Sequence, residues 1–262
     1  MDHILLQVAD GVLHAIFNRP EKKNAFTDEM YVALDEALIR ATEDEEVRVV
    51  VLSGIKNCFT AGNDLDDFIA RPPRDAQAPV FRFLKTLALM NKPVIAAVEG
   101  LAIGVGTTML LHCDLVYVSA TAKFALPFVG LGLVPEAGSS LLLPFVGGHQ
   151  RAAEKLLLGD PFQAEEAVEL GFVSRVLPAT EVVQFALQQA ARLAQLPVGS
   201  VTVTKALMKG LPLGAESIPA PQVLASMDRE IAQFVKRVAG PANQEAIQAF
   251  KERRAPNFVG LG

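Results

Sequence analysis

Three glycine-bearing segments each follow a predicted strand and constrain the fold more than any other feature. Residues 58–65 come after an apolar, β-branched run at 47–52, residues 99–108 come after the run at 94–98, and residues 131–140 form the third segment. Glycine allows the tight turn by which a strand passes into a helix. The pattern therefore predicts an α/β chain of strand–turn–helix units.

The regions outside these segments agree with this class. Residues 4–8 and 12–16 alternate in polarity around Asp10-Gly11, which predicts a β-hairpin at the start of the chain. Beyond residue 163 the pattern becomes mainly helical, and the amphipathic segments are 198–208, 216–238 and 241–253. Residues 71–79, rich in proline and charge, are predicted to form a loop.

Composition limits the possible function classes. The chain has 262 residues, 51% hydrophobic and 20% charged, which predicts one large core. Its apolar runs fall short of the roughly 20 residues of a membrane span, and a net charge of -5 argues against a nucleic-acid binder. Cys58 and Cys113 are interpreted as reduced thiols, and the N-terminus lacks a secretory pattern. A cytoplasmic protein is expected, with neither membrane nor nucleic acid as partner.

Main-chain N–H groups at the glycine turns are suited to hold an anion or an oxyanion, because a helix N-terminus carries positive partial charge. A dinucleotide loop is the competing interpretation of Gly104-Val-Gly106. The third glycine of that motif is missing, however, and Asp114 comes too soon for the acidic residue expected ~20 residues downstream. The sequence therefore disfavours a dinucleotide cofactor.

Five stretches, in their order and spacing, resemble the crotonase, or enoyl-CoA hydratase/isomerase, superfamily. They are residues 18–26, 59–65, 92–104, 113–114 and 250–258, so the resemblance covers nearly the whole chain. It implies an α/β fold, a crotonase-like spiral of ββα units with a C-terminal helical region. Residues 1–200 are expected to form the core with the CoA and oxyanion site. Residues 201–262 are expected to form a helical trimerisation region, giving a homotrimer or a dimer of trimers.

The same resemblance implies an acyl-CoA thioester as the substrate, with no separate cofactor and no metal. The N–H groups of Ala61 and Val105, with Gly104 as the adjacent alternative, would hold the thioester oxygen. Thr108 and Phe128 stand where the hydratases of this family carry two catalytic glutamates. The residues predicted to contact the substrate are Lys23, Asn24, Ala25, Phe26, Ala61, Gly62, Asn63, Asp64, Leu65, Gly104, Thr108, Phe128 and Arg253.

Glu136 is the candidate base. Residues 134–140 resemble the stretch that holds the catalytic acidic residue of the peroxisomal-type Δ3,Δ2-enoyl-CoA isomerases, and Leu133 and Val134 make its surroundings apolar. Such surroundings would raise the pKa of a glutamate toward the ~6 to 7 useful for proton transfer. The competing interpretation is an ordinary acid in the first turn of a helix after Pro135.

A shift of the double bond from Δ3 to Δ2 needs one carboxylate and is the predicted reaction. Another crotonase-type reaction is the alternative, namely enoyl-CoA hydration, dienoyl-CoA isomerisation or dehalogenation. From a different class, the missing glutamates at 108 and 128 are compatible with a non-catalytic acyl-CoA-binding protein. Turnover of a 3-enoyl-CoA distinguishes an enzyme from such a protein.

Overall fold

The computed structural model describes residues 3–55, 57–210 and 221–261. The strands, in chain order, are β1 (Ile4–Ala9), β2 (Val12–Phe17), β3 (Val49–Gly54), β4 (Val94–Val98), β5 (Leu101–Ile103), β6 (Leu115–Ser119), β7 (Lys123–Ala125), β8 (Phe162–Gln163) and β9 (Arg175–Leu177). The helices are α1 (Asp28–Glu43), α2 (Leu65–Ala70), α3 (Pro79–Leu89), α4 (Val105–Thr108), α5 (Ser139–Gly147), α6 (His149–Leu158), α7 (Ala164–Glu169), α8 (Val182–Ala194), α9 (Val198–Lys209), α10 (Pro221–Val238) and α11 (Pro241–Glu252).

Two sheets organise the chain. The larger has the order β1-β2-β3-β4-β6-β9, with β1 and β2 antiparallel and the later pairs parallel. The smaller has the order β5-β7-β8, and a parallel bridge between Thr60 and Ala102 extends it toward residues 60–63. Successive segments of the chain therefore contribute strands to the two sheets before they pass into a helix. This arrangement confirms the predicted α/β spiral with a helical C-terminal region.

The hairpin forms where the sequence predicts it. Asp10 and Gly11 both have positive φ, 51° and 80°, which is the backbone that a two-residue hairpin turn requires. Helix α4 is short: it ends at Thr108, and the chain continues as a 3-10 helix over Met109–His112. Of the predicted segment 216–238, the structure describes α10, while residues 216–220 lie outside the described residues.

The C-terminal helix α10 belongs to the same core as the sheets. Its side chains Met227, Ile231 and Phe234 are buried in the main apolar cluster. The ring of Phe234 packs against that of Phe81 in α3, with centroids 5.7 Å apart. The boundary proposed between residues 200 and 201 lies inside α9, so the secondary structure offers a division before Val198 instead. No helix of the described residues has the length and apolar character of a membrane span.

Trimerisation remains a prediction, and exposed apolar side chains on the helices support it. Phe145 of α5 is 84% exposed, and Leu157 and Leu158 of α6 are about two-thirds exposed at 65% and 66%. Large apolar side chains that are exposed together on adjacent helices are characteristic of protein–protein contact surfaces. Light scattering is expected to give about three or six times the chain mass of 28.1 kDa. An active protein that is strictly monomeric would contradict this prediction.

Candidate active site

Two of the glycine-bearing loops touch each other closely because glycine leaves room for main chain. A Cβ atom at Gly62 would lie 2.7 Å from the carbonyl oxygen of Ile103, and one at Gly106 would lie 2.5 Å from Cγ2 of Thr60. Such distances exclude a side chain at either position. The N–H of Ile103 donates to the carbonyl oxygen of Thr60 at 3.1 Å, which fixes the two loops in register. Residues 60–63 and 102–106 therefore form one rigid unit.

On this unit, the N–H groups of Asn63 and Val105 are among those that have no hydrogen-bond acceptor in the described residues. Val105 follows Gly104, whose φ of 55° and ψ of -117° turn the chain sharply at the start of α4. The N–H of Gly104 donates to the carbonyl oxygen of Ala125 at 2.9 Å, so Gly104 is not the alternative donor. Because both Asn63 and Val105 lie beside the contact between the loops, they are suited to hold one oxyanion.

The structure corrects the predicted role of Ala61. Its N–H donates to the carbonyl oxygen of Lys23 at 3.0 Å and is therefore not available to a thioester. The N–H of Gly62 is also used, since it donates to Oγ1 of Thr60 at 3.1 Å. Gly62 has a φ of 88°, which reverses the chain and leaves the next N–H, that of Asn63, without a partner. The candidate for the first donor is consequently Asn63, a residue that the sequence predicted only as a substrate contact.

Glu136 is buried, with a relative exposure of 1%. Both of its carboxylate oxygens lack a hydrogen-bond partner, and no other buried side-chain oxygen or nitrogen of the described residues shares this property. Burial, with a smaller contribution from the charge of Glu230, raises the pKa of Glu136 to about 8. Helix α5 begins only at Ser139, so Glu136 is not an ordinary acid of a first helical turn. These are the properties of a general base prepared to accept a proton.

Tyr31 connects the base with the oxyanion loops, and the sequence analysis missed it. Its hydroxyl donates to Oδ1 of Asn63 at 2.5 Å. Burial, and next the charge of Glu136, raise the pKa of Tyr31, which places the two groups within electrostatic range of each other. The only signal in the sequence is a polar hydroxyl on the apolar face of α1. Glu136, Tyr31 and Asn63 therefore belong to one site.

Thr108 and Phe128 are buried and carry no ionisable group. The Thr108 hydroxyl donates to the carbonyl oxygen of Val105 at 3.4 Å, a contact within its own short helix. Phe128 belongs to the main apolar cluster. Neither side chain can replace the carboxylates expected of a hydratase.

The family model described as enoyl-CoA hydratase/isomerase matches residues 7–260. The chain belongs to this family. It is 36% identical to 1,2-epoxyphenylacetyl-CoA isomerase of Escherichia coli K12, over 99% of both chains. It is also 36% identical to enoyl-CoA delta isomerase 2 of Rattus norvegicus, over 79% of this chain and 54% of that protein. The crystal structure of an enoyl-CoA hydratase/isomerase from Pseudoalteromonas atlantica T6c matches with a TM-score of 0.90 and 41% identity, covering 98% of this chain and 100% of that one.

A narrow crevice lies beside Asn63. It is lined by residues from α1, α2 and α3, from the oxyanion loop and from segment 71–79, namely Phe26, Asp28, Tyr31, Asn63, Asp64, Asp67, Phe68, Arg71, Pro73 and Val80. Arg71 and Pro73 of segment 71–79 and the predicted substrate contact Phe26 therefore lie close to Asn63. Their contact with a substrate stays a prediction.

Asn24 and Ala25 do not present their side chains to a ligand. Asn24 is fully buried, and its amide donates to the carbonyl oxygen of Cys58 at 2.7 Å while its Oδ1 accepts from the N–H of Arg19 at 2.9 Å. Ala25 is buried as well. The side chains of Asn24 and Ala25 therefore belong to the interior of the loop, and contact of these two residues with CoA stays a prediction. Lys23, by contrast, is exposed, with a φ of 52°.

Asp64 and Leu65 begin α2 and have structural roles. Oδ1 of Asp64 caps the helix by accepting from the N–H of Asp67 at 3.0 Å, and Oδ2 pairs with Arg19 at 2.6 Å. Burial acts to raise the pKa of Asp64, but these hydrogen bonds outweigh it and the pKa is lowered. Leu65, partly buried, is the first residue of α2.

Arg253, the remaining predicted contact, is exposed at the end of α11. Among the described residues, no hydrogen bond or ion pair joins it to Lys23. Throughout residues 3–55, 57–210 and 221–261, no cluster of three or more His, Cys, Asp or Glu side chains is arranged to hold a metal ion.

Proposed function

We propose that this enoyl-CoA hydratase/isomerase family member shifts a carbon–carbon double bond of an acyl-CoA from Δ3 to Δ2, with Glu136 as the single base. The observation that carries the proposal is the Glu136 carboxylate, which is buried, has no hydrogen-bond partner and has its pKa raised to about 8. A carboxylate with these properties both accepts and returns a proton near neutral pH.

The reaction needs one proton to move between two carbons. Glu136 removes a proton from C2, the electrons of that C–H bond form a double bond to C1, and the thioester oxygen becomes negatively charged. The N–H groups of Asn63 and Val105 stabilise this charge, each by about 2.7 to 4 kcal/mol. When the dienolate collapses, C4 takes the proton from the carboxyl group of Glu136 and the double bond lies between C2 and C3. The substrate and product have the same atoms, and no other reactant is consumed.

The CoA thioester is the substrate in this proposal, and no separate cofactor takes part. Lys23 and Arg253 are exposed cations suited to contact its phosphates. In this proposal C1 of the acyl group lies at the oxyanion loops, where the N–H groups of Asn63 and Val105 face the thioester oxygen.

Isomerisation of an epoxide-bearing phenylacetyl-CoA is the second candidate function. It is favoured by the full-length similarity to 1,2-epoxyphenylacetyl-CoA isomerase, at 36% identity over 99% of both chains. The same oxyanion site would serve that reaction, so comparing the kcat/KM values of the two substrates distinguishes the candidates.

The test of the proposal is turnover of a trans-3-enoyl-CoA, followed by the rising absorbance of the 2-enoyl thioester. Rapid turnover is expected. Binding of CoA without turnover of either candidate substrate would overturn the proposal and favour an acyl-CoA-binding protein.

The pH dependence of the reaction gives a further prediction. Glu136 acts as a base only when ionised, and its pKa is raised to about 8. The kcat/KM of the free enzyme is therefore expected to fall roughly tenfold for each pH unit below that value, and to level off above it. Steady-state rates between pH 5 and pH 10 check this expectation. An acid limb centred on the ordinary glutamate pKa near 4.5 would contradict it.

A further inference from the structure

Residues 136–140 form a loop, here called the base loop, whose main chain is held at several points. The carbonyl oxygen of Glu136 accepts from both the N–H and the hydroxyl of Ser139, at 3.0 Å and 2.6 Å. The carbonyl oxygen of Ala137 lies 2.7 Å from Nε2 of His112. Because a carbonyl only accepts, Nε2 carries the proton. Ala137 and Gly138 have φ of 62° and 69°, and for alanine this backbone persists only when surrounding contacts maintain it.

The anchor at the far end of the base loop comes from α10. Oε2 of Glu230 accepts from the N–H of Gly138 at 2.6 Å, and its Oε1 accepts from the N–H of Ser140 at 2.9 Å and from the Ser140 hydroxyl. Gly138 is the N-cap residue of α5 and has no side chain that could cap the helix. Glu230, which lies 92 residues further along the chain, supplies this cap.

Glu230 is also the carboxylate whose charge contributes to the raised pKa of Glu136. Burial raises the pKa of Glu230, while hydrogen bonds from Ser140 and Gly138, and the charge of Arg229, favour its ionised form. Glu136 has no such donors among the described residues, so hydrogen bonding favours the ionised form of Glu230 and not that of Glu136. The negative charge of Glu230 then adds to the effect of burial on Glu136.

The other groups around Glu136 cannot replace Glu230 in this role. Tyr31, on α1, is neutral because burial raises its pKa. His112 is neutral at pH 7 because burial, and next the charge of Lys209, lower its pKa to about 4. Lys205 and Lys209 of α9 lie behind His112, where both form ion pairs with Asp114.

We propose that Glu230 is the positioning residue of the base: from α10 it anchors the base loop and places a fixed negative charge beside Glu136. The C-terminal helical region is then part of the catalytic apparatus, in addition to any role in assembly. The inference rests on the proposed role of Glu136 as the base.

The test uses the intact protein and does not require turnover. With ¹³C-labelled glutamate, the NMR signal of the Glu136 carboxyl is assigned by its absence in a Glu136→Gln variant and is then titrated. Glu230→Gln keeps the shape of the side chain and removes its charge. The midpoint of the Glu136 titration is expected to move to lower pH in this variant. A midpoint that stays at the wild-type value would overturn the electrostatic part of the proposal.

Asp228→Asn is the matched control. It removes one negative charge from the same helix, but Asp228 is solvent-exposed and pairs with Lys85 at 2.7 Å. The Glu136 midpoint is expected to remain unchanged in this variant. An equal movement in both variants would mean that the total charge of the helix, rather than Glu230, acts on the base, and would overturn the proposal.

Glu230→Asp tests the anchor, and it also carries the test if Glu230→Gln does not fold. It keeps the charge but shortens the side chain by one methylene, so it cannot reach Gly138 and Ser140 together. Hydrogen exchange of these two amides is expected to become faster, and kcat to fall about 10²-fold through misplacement of the base. Unchanged exchange would overturn the anchoring role. If the wild type did not isomerise 3-enoyl-CoA, the proposed function would fail, while titration and exchange would still decide the role of Glu230.

Discussion

A Glu136→Gln enzyme is expected to isomerise trans-3-enoyl-CoA about 10²- to 10⁴-fold more slowly than the wild type. The amide keeps the size of the side chain but cannot accept the proton from C2. Affinity for CoA is expected to remain near that of the wild type, because the proposed contacts with CoA lie elsewhere on the chain. Initial rates and a CoA-binding titration measure the two quantities separately. Undiminished activity would eliminate Glu136 as the base.

Thr108→Ala is the control for this variant. Thr108 occupies the position of a hydratase glutamate and is also buried, but among the described residues its hydroxyl hydrogen-bonds to the carbonyl oxygen of Val105, at 3.4 Å, within its own short helix. Its loss is expected to leave the isomerase rate close to that of the wild type. A large loss in Thr108→Ala would mean that the site needs a hydroxyl group that the proposed mechanism does not use.

The free energy of unfolding shows whether the Glu136→Gln variant has lost activity because it lacks the base or because it is less stably folded. The pKa of Glu136 is about 8 in the folded protein and near 4.5 for an ordinary glutamate, so the folded state binds this proton more tightly than the unfolded chain. The contribution of Glu136 to the free energy of unfolding therefore decreases as the pH rises through this window. Glutamine does not titrate, and the variant is expected to be more stable than the wild type above pH 8. Urea unfolding at several pH values checks the sign.

Hydration of a trans-2-enoyl-CoA is expected to be at least ~10²-fold slower than isomerisation of the 3-enoyl isomer. Addition of water needs one group to deprotonate the water and another to deliver a proton to C2. Positions 108 and 128 offer a hydroxyl and a phenyl ring, both buried. The absorbance of the 2-enoyl thioester rises on isomerisation and falls on hydration, so one assay measures both reactions. Equal rates would contradict this expectation and would mean that the enzyme hydrates its substrate with Glu136, without carboxylates at positions 108 and 128.

The α/β class could be predicted from local patterns because its signals are local, whereas the spiral of ββα units was implied by the family resemblance. The hairpin turn at Asp10-Gly11 and the buried strand at 94–98 need only neighbouring residues, and both are present. Glu136 could be selected as the candidate base because residues 134–140 resemble the stretch that holds the acidic residue of the isomerase subgroup, and its apolar neighbours predicted a raised pKa. Its raised pKa has the expected cause, which is burial.

The errors concern contacts between distant residues. The N–H of Ala61 donates to the carbonyl oxygen of Lys23, 38 positions earlier. Only the fold shows that the N–H of Asn63 is left without an acceptor among the described residues. Asn24 stands in a stretch that resembles a CoA-binding motif, but its side chain points into the loop that it holds. Tyr31 and Glu230 approach the site from helices far apart in the sequence. No local pattern could have brought these residues together.

The measurement that tests the role of Glu136 most directly follows a deuterium label from C2 of a 3-enoyl-CoA during isomerisation. One base in a buried site should carry the same hydrogen from C2 to C4, because Glu136 has an exposure of only 1% and exchanges poorly with water. We therefore predict that a substantial part of the label appears at C4 of the 2-enoyl product at early turnover. Complete loss of the label to solvent, with C4 protonated only from water, would contradict a single-base mechanism at Glu136.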